Sequence, residues 1–318
     1  MRDTARLRIM THTAFVFPGQ GSQVVGMGRE LADAYPAARQ IVAQADEILG
    51  FSLSRLAWEG PEADLNDTVN TQPALLVHSV AALFVYQERF PGFQPAFVAG
   101  HSMGELSALV ACGALPFEGA LRLARRRGEL MKQAGEVSPG GMAAVLGADI
   151  PTLERICAEA SLPDEVVQVA NDNCPGQVVI SGAKPALERA IHLAQQAGIR
   201  RVRPLAVSIA AHSPLMTRSQ ADFNQAVLQA GITDPHIPLV GNVTALPLSS
   251  AAEIRLDLQA QLTSRVRWTE SIQEMVRRGV STFIEFGSGA VLTGLIKRID
   301  EQAPGISIGS PADFDKLA

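Results

Sequence analysis

Apolar positions along the chain follow two signatures: short runs that suit buried strands and a 3.6-residue periodicity that suits helices. Thr13 to Phe17 is the first β-prone run, and it ends at the loop signal Pro18-Gly19-Gln20-Gly21-Ser22-Gln23. Helical patterning then dominates Arg29 to Leu49 and Ala74 to Tyr86. Ala96-Phe97-Val98-Ala99 supplies a second short strand before Gly100. A helix is predicted from about Met103, and another from Pro116 to about Ala134 with proline in its first turn. Strand, loop and helix in alternation predict a parallel α/β domain.

From about Val137 to Val207 the rhythm changes. Gly141 to Gly147 reads as a strand and Pro151 to Ala160 as a helix. Val166 to Ala170 and Gln177 to Ser181 read as strands around an Asn-Asp-Asn-Cys-Pro-Gly turn. A helix from Pro185 to Ala197 and a strand from Val202 to Val207 complete the order βαββαβ, a ferredoxin-like unit. Because α/β patterning resumes at Leu239 to Val243 and Thr282 to Phe286, the unit reads as an insertion. The expected organisation is a disordered lead-in over 1–12, a large catalytic domain over 13–136 and 208–305, the inserted subdomain over 137–207, and a C-terminal tail over 306–318.

With 318 residues and 47% apolar side chains, the chain can bury a full core, which excludes a disordered tail or a small stapled scaffold. The net charge of −5 argues against a nucleic-acid footprint. Cys112, Cys157 and Cys174 match neither a disulfide framework nor a zinc-ligand spacing, so a reducing, cytoplasmic setting is expected. The uncharged stretch Thr68 to Gln87 is interrupted by Asn70, Gln72, Pro73, His78 and Ser79 and reads as a buried segment, not a membrane span. Residues 1–10 lack an apolar core of signal-peptide length.

Gly100-His101-Ser102-Met103-Gly104 matches Gly-x-Ser-x-Gly between a predicted strand and a predicted helix, the setting a nucleophile elbow requires. A sharp turn there lifts the serine hydroxyl clear of the sheet and leaves backbone amides free to face an oxyanion. Of six histidines, His12 lies in the lead-in, His78 and His192 in helical patterns and His236 in a loop. His101 adjoins Ser102, so the tight turn should direct its ring elsewhere. His212 precedes Ser213-Pro214, a helix start, where the positive dipole end would keep the imidazole neutral and able to accept a proton.

In Arg125-Arg126-Arg127, helical phase puts only Arg127 on the apolar face of Phe117, Ala120, Leu121, Ala124 and Met131. An inward guanidinium needs an anion, either a structural carboxylate or a carboxylated ligand. Gly19-Gln20-Gly21 lacks the lysine of a P-loop, and Gly287-Ser288-Gly289 is followed by Leu292 where a dinucleotide fingerprint needs a small residue.

Phe15 to Gln23, Thr71-Gln72-Pro73-Ala74, Gly100 to Glu105, Arg127-Gly128, Asn173 to Gly182, His212 to Met216 and Glu285 to Leu292 together resemble the malonyl-CoA:acyl carrier protein transacylases. The resemblance spans about Thr13 to Ile299 and implies an α/β-hydrolase-like large domain with a ferredoxin-like insertion. It implies Ser102 as nucleophile, His212 as general base and acid, and backbone N–H groups of Gln20 and Met103 as the oxyanion hole. Arg127 would hold the malonyl carboxylate, and the Gln261 backbone carbonyl would orient His212 in place of an aspartate. His101, Gln72 and Asn171 would support the site. No metal or cofactor is implied. The expected partners are malonyl-CoA and an acidic acyl carrier protein that docks transiently on Arg200, Arg201 and Arg203 or on Arg265 and Arg267 of a monomer. Neither nucleic acid nor membrane is expected as a partner.

Two departures stand out. Ala210-Ala211 precedes His212 where related polyketide acyltransferases carry a bulkier phenylalanine, and Ser264-Arg265-Val266-Arg267 replaces the usual Asn-Pro-Val before tryptophan. Competing readings are a free-standing polyketide or malonate-decarboxylase acyltransferase, a silent docking subunit, and a serine hydrolase with Asp172 as the triad acid.

Overall fold

The structure, a computed structural model, describes residues 12–316. Strand β1 (Thr13–Phe17) leads to helices α1 (Arg29–Ala34), α2 (Pro36–Leu49), α3 (Leu53–Glu59), α4 (Glu62–Leu65) and α5 (Thr68–Arg89). Next come β2 (Phe97–Gly100), α6 (Gly104–Ala111) and α7 (Phe117–Val137). A second group comes after these: β3 (Gly140–Leu146), α8 (Ile150–Ala160), β4 (Val167–Cys174), β5 (Gln177–Ala183), α9 (Lys184–Gln196) and β6 (Arg201–Pro204). The chain then continues through α10 (Thr217–Gln229), β7 (Leu239–Val240), β8 (Pro247–Leu248), α11 (Ala251–Gln261), α12 (Trp268–Arg277), β9 (Thr282–Phe286), α13 (Val291–Ile299), β10 (Gly305–Ile308) and α14 (Pro311–Asp315).

Two sheets result. The larger has the order β10-β9-β1-β2-β7-β8 and is parallel except for the β7–β8 pair. Its centre, β1, alternates faces: Phe15 and Phe17 enter the core under α5, α6 and α7, while Ala14 and Val16 enter the core shared with Trp268 and α13. The smaller sheet, β4-β5-β3-β6, is antiparallel and buries its own core against α8 and α9. A parallel bridge ties β4 of the smaller sheet to the segment between α11 and α12, where Val266 accepts from Asp172 N–H (2.9 Å) and donates to Ala170 O (2.8 Å).

Several boundaries differ from the sequence reading. The helix expected over 29–49 breaks at Tyr35, which takes an extended conformation because it precedes Pro36. Helix α5 begins six residues before the expected Ala74, capped by the Asp67 side chain at Val69 N–H, and carries Pro73 inside. It is long and apolar enough to cross a membrane, but 83% of its most apolar window lies inside the fold, consistent with a core helix. The turn expected from Asn171 shrinks to Pro175-Gly176, since β4 continues through two irregularities to Cys174.

Residues 1–11 of the expected lead-in lie outside the described residues. His12 is tied down, its carbonyl accepting from Ser281 and Thr282 N–H and its ring reaching Gly279 O at 2.6 Å. Within the expected tail, 306–308 pair in β10 and Phe314 is buried, because Ile308 and Phe314 supply apolar anchors too widely spaced to read as an element.

Candidate active site

Ser102 sits where β2 turns into α6, with φ 52°, a left-handed conformation that a non-glycine residue holds only when its surroundings enforce it. Three glycines enforce it here by leaving no room for side chains. A Cβ on Gly100 would collide with the Gly104 carbonyl, one on Gly104 with Phe17 O, and one on Gly19 with His101 O. The loop after β1 therefore packs directly on the elbow. Asn242, just past β7, completes it: its Oδ1 accepts from Ser102 N–H (2.8 Å) and its Nδ2 donates to Gly100 O (2.7 Å).

The Ser102 Oγ lies 2.8 Å from His212 Nε2. His212 Nδ1 faces two carbonyls, Gln261 O at 2.9 Å and Ser264 O at 3.1 Å, which place the ring proton on Nδ1 and leave Nε2 as acceptor. His212 itself holds φ 57°, and its carbonyl accepts from Gln168 Nε2 of β4 at 2.8 Å. Burial first, and the positive Arg127 second, push its pKa down to about 3 against the pull of the two carbonyls. Ser213 caps the 3₁₀ turn Pro214–Met216, which runs directly into α10, so a helical start does follow His212, but burial is the largest influence keeping the ring neutral. The His101 ring does turn away, to Asn173 Oδ1 (2.8 Å) and the edge of Trp268.

Arg127 reaches the same point from α7 and is 2% exposed. Its Nη2 donates to Ser102 Oγ (3.1 Å) and to Gln261 Oε1 (2.9 Å), and Nη1 donates to Gln72 Oε1 (2.9 Å). Among the described residues no carboxylate forms an ion pair with it, whereas Arg125 and Arg126 pair with Glu129 at the surface. Burial lowers its pKa to about 10, so it stays cationic at neutral pH. Gln72 extends the chain of contacts through Thr68 Oγ1 (2.8 Å) to Gln20 Oε1 (3.0 Å).

The Gln20 and Met103 backbone N–H groups donate to no protein acceptor among the described residues. A cleft of about 430 Å³ opens beside Gln20, lined by Thr68, Lys132, Gly135 and residues 206–209. Asn171 does not join the site. It pairs in the bridge to Val266, and the side chain that reaches His101 is Asn173, because the strand irregularity shifts the register. Asp172 is no triad acid: its Oδ1 accepts from Thr269 Oγ1 (2.6 Å), and carbonyls occupy His212 Nδ1. Arg265 and Arg267 are neutralised by Glu154 and Glu270, while Arg200, Arg201 and Arg203 are exposed. Sequence reading missed Asn242, Gln168, Asn173 and Glu105. Only Glu105 had a local signal, an acid in the first turn of an otherwise apolar helix.

The family profile described as "Acyl transferase domain" matches residues 14–308. The malonyl CoA-acyl carrier protein transacylase of Bacillus subtilis is 43% identical over 306 residues, covering 96% of either chain. That of Escherichia coli K12 is 42% identical, over 95% of this chain and 97% of its own. Among solved structures, an acyl carrier protein S-malonyltransferase from Vibrio cholerae superposes with a TM-score of 0.93 at 42% identity, covering 97% of this chain and 100% of that one. A malonyl-transacylase solved with its type II PKS acyl-carrier protein gives 0.92 at 41% identity, over 96% of this chain and 98% of its own.

Proposed function

This chain belongs to the acyl transferase family, among the malonyl-CoA:acyl carrier protein transacylases, and we propose that it performs their reaction as a two-step exchange on Ser102. It transfers malonyl from malonyl-CoA to acyl carrier protein, supplying fatty acid chain extension. In the first step His212 Nε2 takes the Ser102 proton as Oγ attacks the thioester carbonyl. The oxyanion falls to the Gln20 and Met103 N–H groups, and collapse expels the CoA thiolate, which recovers the proton from His212. In the second step the carrier's phosphopantetheine thiol gives its proton to His212 and attacks the malonyl ester, and collapse returns the proton to Ser102. These steps call on no resident cofactor.

The observation that carries this reading is Arg127: a buried guanidinium, 3.1 Å from the nucleophile, held by neutral acceptors only. A malonyl carboxylate supplies the missing anion, whereas an acetyl group leaves it unpaired. Incubation with malonyl-CoA should add one malonyl group by intact mass, absent in Ser102→Ala. An adduct that persists in Ser102→Ala, or none in the wild type, overturns the assignment.

The carrier, an acidic protein in this reading, docks transiently on the exposed Arg200, Arg201 and Arg203. Arg265 and Arg267 are already occupied by glutamates. We further infer a monomer working in the cytoplasm, with three free buried cysteines in keeping with a reducing compartment.

A further inference from the structure

Beneath the nucleophile lies a buried acid pair that the transfer chemistry does not use. Glu105, in the first turn of α6, is fully buried, and Asp257 and Gln261 stand one turn apart on the facing side of α11. Gln261 Nε2 donates to Glu105 Oε2 (2.5 Å) and to Ser102 O (3.1 Å), while Gln261 Oε1 accepts from Arg127. The other oxygen, Glu105 Oε1, is buried and, counted as an acceptor, has no donor among the described residues, while the Asp257 carboxyl lies within hydrogen-bond reach of the Glu105 side chain. Two buried carboxylates in contact cannot both ionise, so one proton must lie between them.

The donors around the pair decide which acid carries it. Asp257 accepts from Thr244 N–H (3.1 Å), Thr244 Oγ1 (3.1 Å) and Val243 N–H (3.2 Å), three bonds that favour its anion. Glu105 accepts a single amide. We propose that Glu105 is a positioning residue held as the neutral acid, donating through Oε1 to the Asp257 carboxylate and so fixing the orientation of Gln261. Burial and the adjacent Asp257 both raise the Glu105 pKa well above the usual carboxylate range, in the same direction. The other ionisable groups facing it are Arg127, which opposes that rise, and the buried Cys112 thiol.

The consequence reaches the reacting groups through one amide. With the acid proton pointing at Asp257, only the Glu105 carbonyl oxygen faces Gln261, so the Gln261 NH₂ must turn toward it and the amide oxygen toward Arg127. The backbone oxygen of that same residue orients His212. The relay places a negative charge three hydrogen bonds behind Arg127 without putting a carboxylate in contact with it.

Infrared difference spectra of wild type against Glu105→Gln at neutral pH test the protonation, because a protonated buried carboxyl has a carbonyl stretch that a carboxylate lacks. The wild type should show that band and Glu105→Gln should lose it. The glutamine can donate to Asp257 and accept from Gln261 as the acid does, so it should keep malonyl transfer within about threefold, whereas Glu105→Leu should lose about tenfold or more in kcat. No such band, or a glutamine variant as impaired as the leucine variant, overturns the proposal. Should Glu105→Leu fail to fold, the spectra decide alone. The activity arm rests on the proposed function. Loss of that reading would appear as a wild type without malonyl transfer, and the band would still report on the pair.

Discussion

Arg127 and His212 set the chemistry of the site through the same physical cause, burial, acting on opposite needs. For Arg127, burial makes an unpaired charge expensive, so the donor that brings a carboxylate is favoured. Removing one partner of such a pair costs about 3–5 kcal/mol, equivalent to at least two orders of magnitude in preference. Arg127→Ala should therefore depress malonyl transfer about a hundredfold or more while sparing or raising acetyl transfer. Equal loss with both donors, in steady-state assays, would remove Arg127 from donor selection. For His212, burial holds the free base, with a folded pKa of about 3 against about 6.5 unfolded. The unfolded chain then binds the extra proton, so this stabilisation is full above pH 6.5 and is lost as pH falls toward about 3. The slope is about 1.4 kcal/mol per pH unit for each such group, and buried His78 and His101 shift in the same direction. Urea midpoints for wild type and His212→Gln between pH 4 and 6.5 (about one histidine's titration range) should diverge by that slope. Parallel curves would show that His212 is not held neutral.

At the level of elements, the elbow depends on a strand that lies far away in sequence. Gly-x-Ser-x-Gly was legible because strand, turn and helix are local, and Arg127 because helical phase is local. Asn242 is 140 positions from Ser102 and becomes its neighbour only because β7 pairs with β2. No local pattern carries that information, and the same holds for Gln168 at His212 and Asn173 at His101. Asn171 reads from sequence as the supporting asparagine, but the irregularity in β4 shifts which side chains face the site, and a one-residue shift exchanges faces. Asn242→Ala should strand the part-buried Ser102 N–H and the buried Gly100 carbonyl, at up to about 1–3 kcal/mol each. Melting temperature should fall by several degrees. Where the protein stays folded, kcat should drop more than KM rises, because the Asn242 clamp sets the direction in which Oγ points. An unchanged melting temperature and kcat would mean the clamp contributes nothing.

At the scale of the molecule, the small sheet does more than fill space beside the large one. It sends Gln168 to the His212 carbonyl and Asn173 to His101, so the position of His212 depends on how the smaller sheet packs beside it. It also ends in β6, an edge strand that exposes Arg201 and Arg203 beside the exposed Arg200 just before it, with no ion-pair partner among the described residues, on a chain whose net charge is −5. Overall charge hid this cluster, as it hid Arg127, because a sum over the whole chain says nothing about where charges collect. An acidic carrier approaching an acidic protein would be repelled except where such a patch reverses the local field. Replacing all three arginines by glutamate should raise KM for the carrier about tenfold or more and flatten its salt dependence. Reversing Arg265 and Arg267 should matter less to docking, since Glu154 and Glu270 already hold them. Salt titrations of carrier KM separate the two clusters. If the triple reversal leaves both KM and its salt dependence unchanged, the carrier reaches Ser102 from another face.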